Sequence, residues 1–247
     1  MTFLERYKNG ETTEVYSDIA KLGEAAFSEK HFSDIDAVVT ETMKRTAHNL
    51  AVIYDELERT DYNFKRKIQY SFEAPLNKPI VDVDKLLIQL EKIVVPFGSV
   101  PLSLKLFYKI VGSCNFAWDY ETNKNISWKC SDPIQIAPLD VVIEEITTEY
   151  WLEEMTENKE VYNTAYLELS ADYLHKDNIS GGPAYAMEIT PKPSIDGRLL
   201  NEEHQTSFIN YLRVVFENCG FGRTDDIEST ATFKSFCDKV GPKLRRI

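Results

Sequence analysis

Apolar residues recur at helical spacing over much of the N-terminal third of the chain. Residues 12–30 and 33–60 read as helices. In the second, Ile35, Val39, Met43, Leu50, Ile53 and Leu57 return at intervals of three, four or seven. Ser33 fits its N-cap, with Asp36 three residues later in a capping-box-like place. A continuous helix of that span is about 40 Å long at about 1.5 Å per residue. Its apolar face needs cover from another element or from a partner. The pattern changes over 61–81, where Ile68, Tyr70 and Phe72 alternate and Pro75 and Pro79 follow, predicting a strand and then a linker-like turn.

Helical period resumes over 82–95. Asp82 is placed to cap, Leu86, Leu87, Leu90 and Val94 share a face, and Pro96 ends the run. Pro101 opens a further helix carrying Leu102, Leu106, Phe107 and Ile110 and stopping at Gly112. Short strands are predicted at 115–120, 126–130 and 134–137. Leu139, Val142, Ile143, Ile146 and Tyr150 then return to helical period. Strands at 162–171 and 184–190 precede a helix with Phe208, Leu212, Val215 and Cys219 on one face, ending at Gly220. A short helix at 229–240 leads to Lys243, Arg245 and Arg246. Strands grouped centrally, without regular alternation with helices, predict an α+β fold. The expectation is a mostly antiparallel central sheet flanked by helices. Residues 1–80 would form a helical N-terminal region packed on a main domain spanning 81–247.

Charge narrows the range of partners. The chain of 247 residues carries a formal net charge of −12. Nucleic-acid binding needs cationic side chains to replace condensed counterions, so that class is disfavoured. A basic protein partner would be drawn in by the same field. Cys114, Cys130, Cys219 and Cys237 stand far apart, and no apolar stretch approaches the roughly 18 residues of a membrane span. No signal-like apolar region opens the sequence. These features predict reduced thiols and a cytoplasmic protein that does not enter a membrane.

Candidate chemistry is sparse. His31, His48, His175 and His204 never fall three or four residues apart, so no helical metal pair exists. Asp34 with Asp36, and Asp82 with Asp84, sit at expected helix starts, where acids complement the helix dipole. His48 borders the apolar stripe of its helix and is expected to be half-buried. Ser180 lacks the glycine two positions earlier that a nucleophile elbow requires, and Gly220-Phe-Gly222-Arg223 is too short for a dinucleotide loop. No metal and no cofactor is expected.

Two stretches remain. Between the strands at 162–171 and 184–190, the connection 172–183 crowds Asp172, Tyr173, His175, Asp177, Asn178 and Gly181-Gly182-Pro183. Asp172, His175 and Asp177 have the side-chain types of a base with orienting carboxylates. Asp177-Asn178 and Gly181-Gly182 are equally the residues of a polar hairpin connection, and the loop also suits partner contact. The other stretch, 140–160, carries Asp140, Glu144, Glu145, Glu149, Glu153, Glu154, Glu157 and Glu160 against Lys159. As one helix it would stack Glu145, Glu149 and Glu153 at intervals of four, with Trp151 beside them as a hot-spot type of anchor. A solvated acidic face is the plainer reading, and a docking surface for a basic protein the functional one.

Val100-Pro101-Leu-Ser-Leu-Lys-Leu-Phe107-Tyr-Lys-Ile-Val-Gly112 resembles the SUKH superfamily, which includes bacterial toxin-immunity proteins and fungal regulators of cell-wall glucan synthesis. Pro101, Phe107 and Gly112 match that family's helix entry, mid-helix aromatic and closing glycine, and Asp132-Pro133-Ile134 looks like its short strand entry. The likeness covers about 82–190. Gly112-Ser113 stands where the family often doubles the glycine. The resemblance implies an α+β fold and a binding role without catalysis. The chain is therefore expected to be a protein-binding module, in the manner of an immunity protein neutralising a basic, nuclease-like toxin. Glu145, Glu149, Trp151, Glu153, Tyr173, His175 and Asp177 are its expected contacts, and a monomer or homodimer its expected state. The alternative is a hydrolase using the 172–183 loop.

Overall fold

The structure is a computed structural model that describes residues 1–65, 74–119, 121–122, 126–223 and 230–247. The N-terminal region contains α1 (Phe3–Lys8), α2 (Thr12–Leu22) and α3 (Phe32–Leu57). Next come β1 (Leu76–Asn77), α4 (Val83–Val94), α5 (Leu102–Ile110), β2 (Ser113–Asn115) and β3 (Gln135–Ile136). Then follow α6 (Leu139–Ile146), α7 (Glu149–Tyr162), β4 (Ala165–Ser170), α8 (Tyr173–Lys176), β5 (Tyr185–Ile189) and β6 (Leu199–Leu200). The chain closes with α9 (Phe208–Glu217) and α10 (Thr230–Val240).

The fold is α+β, as the distribution of strands predicts. Two three-stranded sheets, β1-β2-β3 and β4-β5-β6, are antiparallel at every pairing. They meet where the amide of Ala137 donates to the carbonyl of Leu169 at 2.8 Å. Oε1 of Gln135 accepts from Ala171 N at 3.0 Å just beyond that bond, so β3 runs antiparallel to β4. Helix α3 is long because its buried set, including Ile35, Val38, Val39, Thr42, Met43, Leu50, Ile53 and Leu57, holds helical period for seven turns. Its apolar face is covered within the chain by α1, α5 and α10. Buried side chains from Tyr7 to Ile247 form one contiguous cluster.

Several local expectations are corrected. Helix α3 begins at Phe32, not at a Ser33 cap, and its flanking His31 makes no side-chain capping bond. Asp34 serves a neighbour instead, accepting from the amides of Phe3 and Leu4 at 2.6 and 3.2 Å and so capping α1. Helix α1 went unread although Thr2 and Glu5 form a capping box, a signal present in the sequence. Of the strand expected at 115–120 only Asn115 lies in a strand, the end of β2; Trp118 makes an isolated bridge to Phe64, and Tyr120 lies outside the described residues. Residues 126–130 form no strand, because Trp128 turns into an aromatic cluster with Tyr62, Phe221, Phe233 and Phe236. The alternating run Ile68–Phe72 lies outside the described residues. His48 is half-buried, as its place on the stripe predicts. Among the described residues no helix is long and apolar enough to cross a membrane.

Helix α5 is fixed at its start. Leu102 and Ser103 donate their amides to the carbonyls of Ser194 and Ile195, both at 2.9 Å, and Ser103 Oγ donates to Asp196 at 2.8 Å. Those bonds satisfy amides that a helix N-terminus leaves unpaired. At the other end Gly112 has φ +100, and a Cβ there would stand 2.3 Å from the carbonyl oxygen of Asn77. Only glycine lets the 77–79 segment pass so close.

Candidate functional site

Two regions gather the polar side chains singled out above, one at each end of β4. Tyr166, near the start of β4, touches α7 through Glu154 at 2.5 Å, and Asp172 lies six residues further on.

At the far end, the 172–183 connection is stapled into the interior. Asp172 caps α8 by accepting from the amide of His175 at 2.7 Å, and His175 Nδ1 lies 3.1 Å from the same oxygen. The ammonium of Lys176 is 2.6 Å from Asp132 Oδ1, with the two side chains 1% and 4% exposed. Tyr185 donates its hydroxyl to the other oxygen of Asp132 at 3.1 Å. Burial and then the charge of Asp132 hold the Tyr185 phenol well above its ordinary range. Asp177 accepts from Trp118 Nε1 at 2.8 Å and from the amide of Cys130. Gly181 lies against Asp172, where a Cβ would meet Oδ2 at 2.6 Å.

This geometry sorts the expected contacts. Asp177 is buried, and its work is to tie the 126–130 segment to the loop. Tyr173 lies beneath Arg223, whose guanidinium carbon is 4.3 Å from the ring centre. His175 alone of the three has a half-exposed side chain. It does meet a buried carboxylate, as a hydrolase would need, but that carboxylate oxygen is already the α8 cap. Among the described residues, no group of three or more His, Cys, Asp or Glu side chains is placed to hold a metal.

The second region is built by α6 and α7. The expected continuous stack of Glu145, Glu149 and Glu153 is broken, because α6 ends at Ile146 and Thr148 starts a new helix. Thr148 Oγ1 accepts from the amide of Trp151 at 3.2 Å. Trp151 is 2% exposed and meets Phe97 edge-on at 5.4 Å between ring centres. It is therefore a core residue of this region and no surface anchor. Glu145 turns toward β4, where Glu168 binds its proton more tightly than usual. Glu168 is itself exposed, but loss of hydration beside the packed strand is the larger cause, followed by the charges of Glu145 and Glu154.

Glu149, Glu153, Glu157 and Glu160 follow one another at intervals of four, four and three along α7, all exposed. Tyr150 and Val161 run along one edge of that stripe, 71% and 62% exposed, and Tyr162 is exposed at its end. The sequence hides these residues, because helical period places Tyr150 on an inward face and the strand expected at 162–171 takes in Tyr162. The Thr147-Thr148 pair, both capping residue types, was the available signal for the break.

Beside α6 lies a cleft of about 420 Å³. Asn77, Lys78, Ile80 and Val83 form one wall, Tyr108, Gly112 and Ser113 the α5 end, and Pro138 to Val141 with Glu144 the other wall. Tyr108 is 1% exposed, and its hydroxyl is buried without a hydrogen-bond partner among the described residues. No family model matches this chain, and neither a curated protein nor a solved structure matches it.

Proposed function

We propose that this chain is a non-catalytic binding module for a basic protein, of the toxin-neutralising kind that its likeness to SUKH proteins implies. The observation that carries the reading is the outer face of α7. Four exposed carboxylates stand in one stripe, with Tyr150 and Val161 along its edge and a single lysine, Lys159, on the helix. Like charges at this spacing weaken a helix by a few tenths of a kcal/mol per pair, so the stripe opposes the stability of the element that bears it. A basic partner turns that repulsion into attraction and covers the aromatic edge. The net charge of −12 draws the partner in from a distance. Occlusion of a nuclease-like partner's cationic groove would follow from the same charge match. Glu149 and Glu153 remain contacts in this reading, joined by Tyr150, Glu157, Glu160 and Val161. Trp151 and Asp177 support the scaffold from inside.

The test isolates the partner from source cells, purifies it, and measures association with wild type and with a Glu149→Lys, Glu153→Lys, Glu157→Lys variant. The association rate is expected to fall about tenfold or more in the variant and to fall with added salt for wild type. A partner that binds both proteins equally, or a wild-type rate indifferent to salt, refutes the assignment. Hydrolysis at the 172–183 loop is the second reading, favoured by the contact between His175 and Asp172. Loss of a measured hydrolytic activity in His175→Ala would establish it.

A further inference from the structure

We propose that the cleft beside α6 receives an arginine side chain of the basic partner, a proposal that rests on the binding role just described and gives it a specific pocket. The cleft adjoins the start of α6, from which the chain passes through Thr147-Thr148 into α7. Its volume of about 420 Å³ lies in the range of ligand pockets, roughly 300–1,000 Å³, and leaves room for a side chain with part of its backbone.

The lining matches a long cationic side chain along its length. Ile80, Val83, Leu139 and Val141 offer apolar walls for an aliphatic stem. Asp140 and Glu144, one turn apart on α6, supply two carboxylates against the single ammonium of Lys78. A helix start ordinarily favours an anion through its free amides. Here Asp140 already holds the amide of Val141 at 3.0 Å, so the chain's own acid fills that role. The hydroxyl of Tyr108 is a second observation at this cleft. It is buried among the lining residues with no partner, and its neighbouring ionisable groups are Cys114 and the rim residue Asp140. A buried hydroxyl normally finds a partner, and an incoming N–H donor supplies one. Arginine suits the site better than lysine, because its planar fork can reach two carboxylates and a hydroxyl together.

The test is a methyl-resolved NMR titration of the full chain with N-acetyl-Gly-Arg-Gly-amide. Its counterparts carry citrulline, lysine or glutamate in place of arginine. The arginine peptide should shift Ile80, Val83 and Val141, lysine should bind more weakly, and citrulline and glutamate should not bind. Asp140→Asn with Glu144→Gln should abolish the shifts, and Lys78→Met should strengthen binding. Tyr108→Phe should weaken binding several-fold while leaving the melting temperature of the free protein unchanged or higher. That combination separates a ligand-facing hydroxyl from a structural one. Equal binding of citrulline, weaker binding in Lys78→Met, or shifts confined to other residues overturns the proposal. The Glu149→Lys, Glu153→Lys, Glu157→Lys variant should bind the peptide as wild type does. If it does so yet still captures the partner normally, the α7 reading fails and the pocket stands. If the peptide fails to bind while the variant loses the partner, the pocket fails and the α7 reading stands.

Discussion

Lys176 and Asp132 form an ion pair at 2.6 Å in the interior, under a loop that the sequence presents as polar and exposed. The aromatic ring of Tyr185 lies 4.9 Å from the same ammonium, and its hydroxyl occupies the second oxygen of Asp132. Such a pair is retained only when its remaining hydrogen-bonding capacity is met, because desolvating two charges costs several kcal/mol per ion. Asp132 also sits at φ +52, a conformation that Asp and Asn tolerate better than most residues. The pair anchors the start of the 172–183 connection to the strand entry at Pro133-Ile134.

Removing one partner strands the other charge. Lys176→Met is expected to destabilise the protein by about 3–5 kcal/mol, measured as a lowered midpoint in urea with an unchanged slope. Adding Asp132→Asn to it should recover a large part of that loss, since the asparagine keeps the backbone conformation and carries no charge. A loss under about 1 kcal/mol in the single variant, or no recovery in the double, would show that the pair does not hold the loop.

This pair also marks where sequence reasoning stops. Lysine is among the residues least often buried, so nothing in Leu174-His175-Lys176 signalled an interior ammonium. The helices were legible because Ile35 to Leu57 and Leu87 to Val94 repeat at their period and Pro96 and Gly112 end them. The strands were less so, being as short as two residues, too few to display alternation. Trp151 was legible as important but not as buried, since Glu149, Glu153 and Glu154 around it imply an open surface. The Tyr108 hydroxyl was invisible for a further reason. An apolar stripe shows that a tyrosine faces inward and says nothing of whether its oxygen finds a partner.

Glu168 gives the pH dependence a definite sign. Lost hydration at this exposed but crowded site, then Glu145 and Glu154, raise its proton affinity in the folded protein relative to the unfolded chain. The folded state therefore binds more protons in the window above the ordinary glutamate value, and stability falls as pH rises through it. Glu168→Gln removes that contribution. The stability difference between Glu168→Gln and wild type should grow in favour of the variant from about pH 4 upward and then level off. Urea midpoints across that range measure it. A flat difference, or one favouring wild type as pH rises, would mean that neither lost hydration nor the charges of Glu145 and Glu154 act on this carboxyl.

Adjacent residues on α7 divide structure from binding. Trp151 packs on Phe97 with its indole N–H buried and without a partner among the described residues, whereas Tyr150 is 71% exposed. Trp151→Ala empties a core site and is expected to cost about 3–5 kcal/mol of stability. Trp151→Phe should cost less, because it keeps most of the ring volume and discards the unsatisfied N–H. Tyr150→Ala should leave stability within about 0.5 kcal/mol of wild type, since it removes an exposed ring. Its effect belongs to the complex: about 1 kcal/mol or more of binding free energy, read as faster dissociation of the purified partner. If Tyr150→Ala releases the partner no faster than wild type, while Trp151→Phe, still folded, does, then contact runs through the core side of α7. The acidic outer face would then be a solvated surface and nothing more.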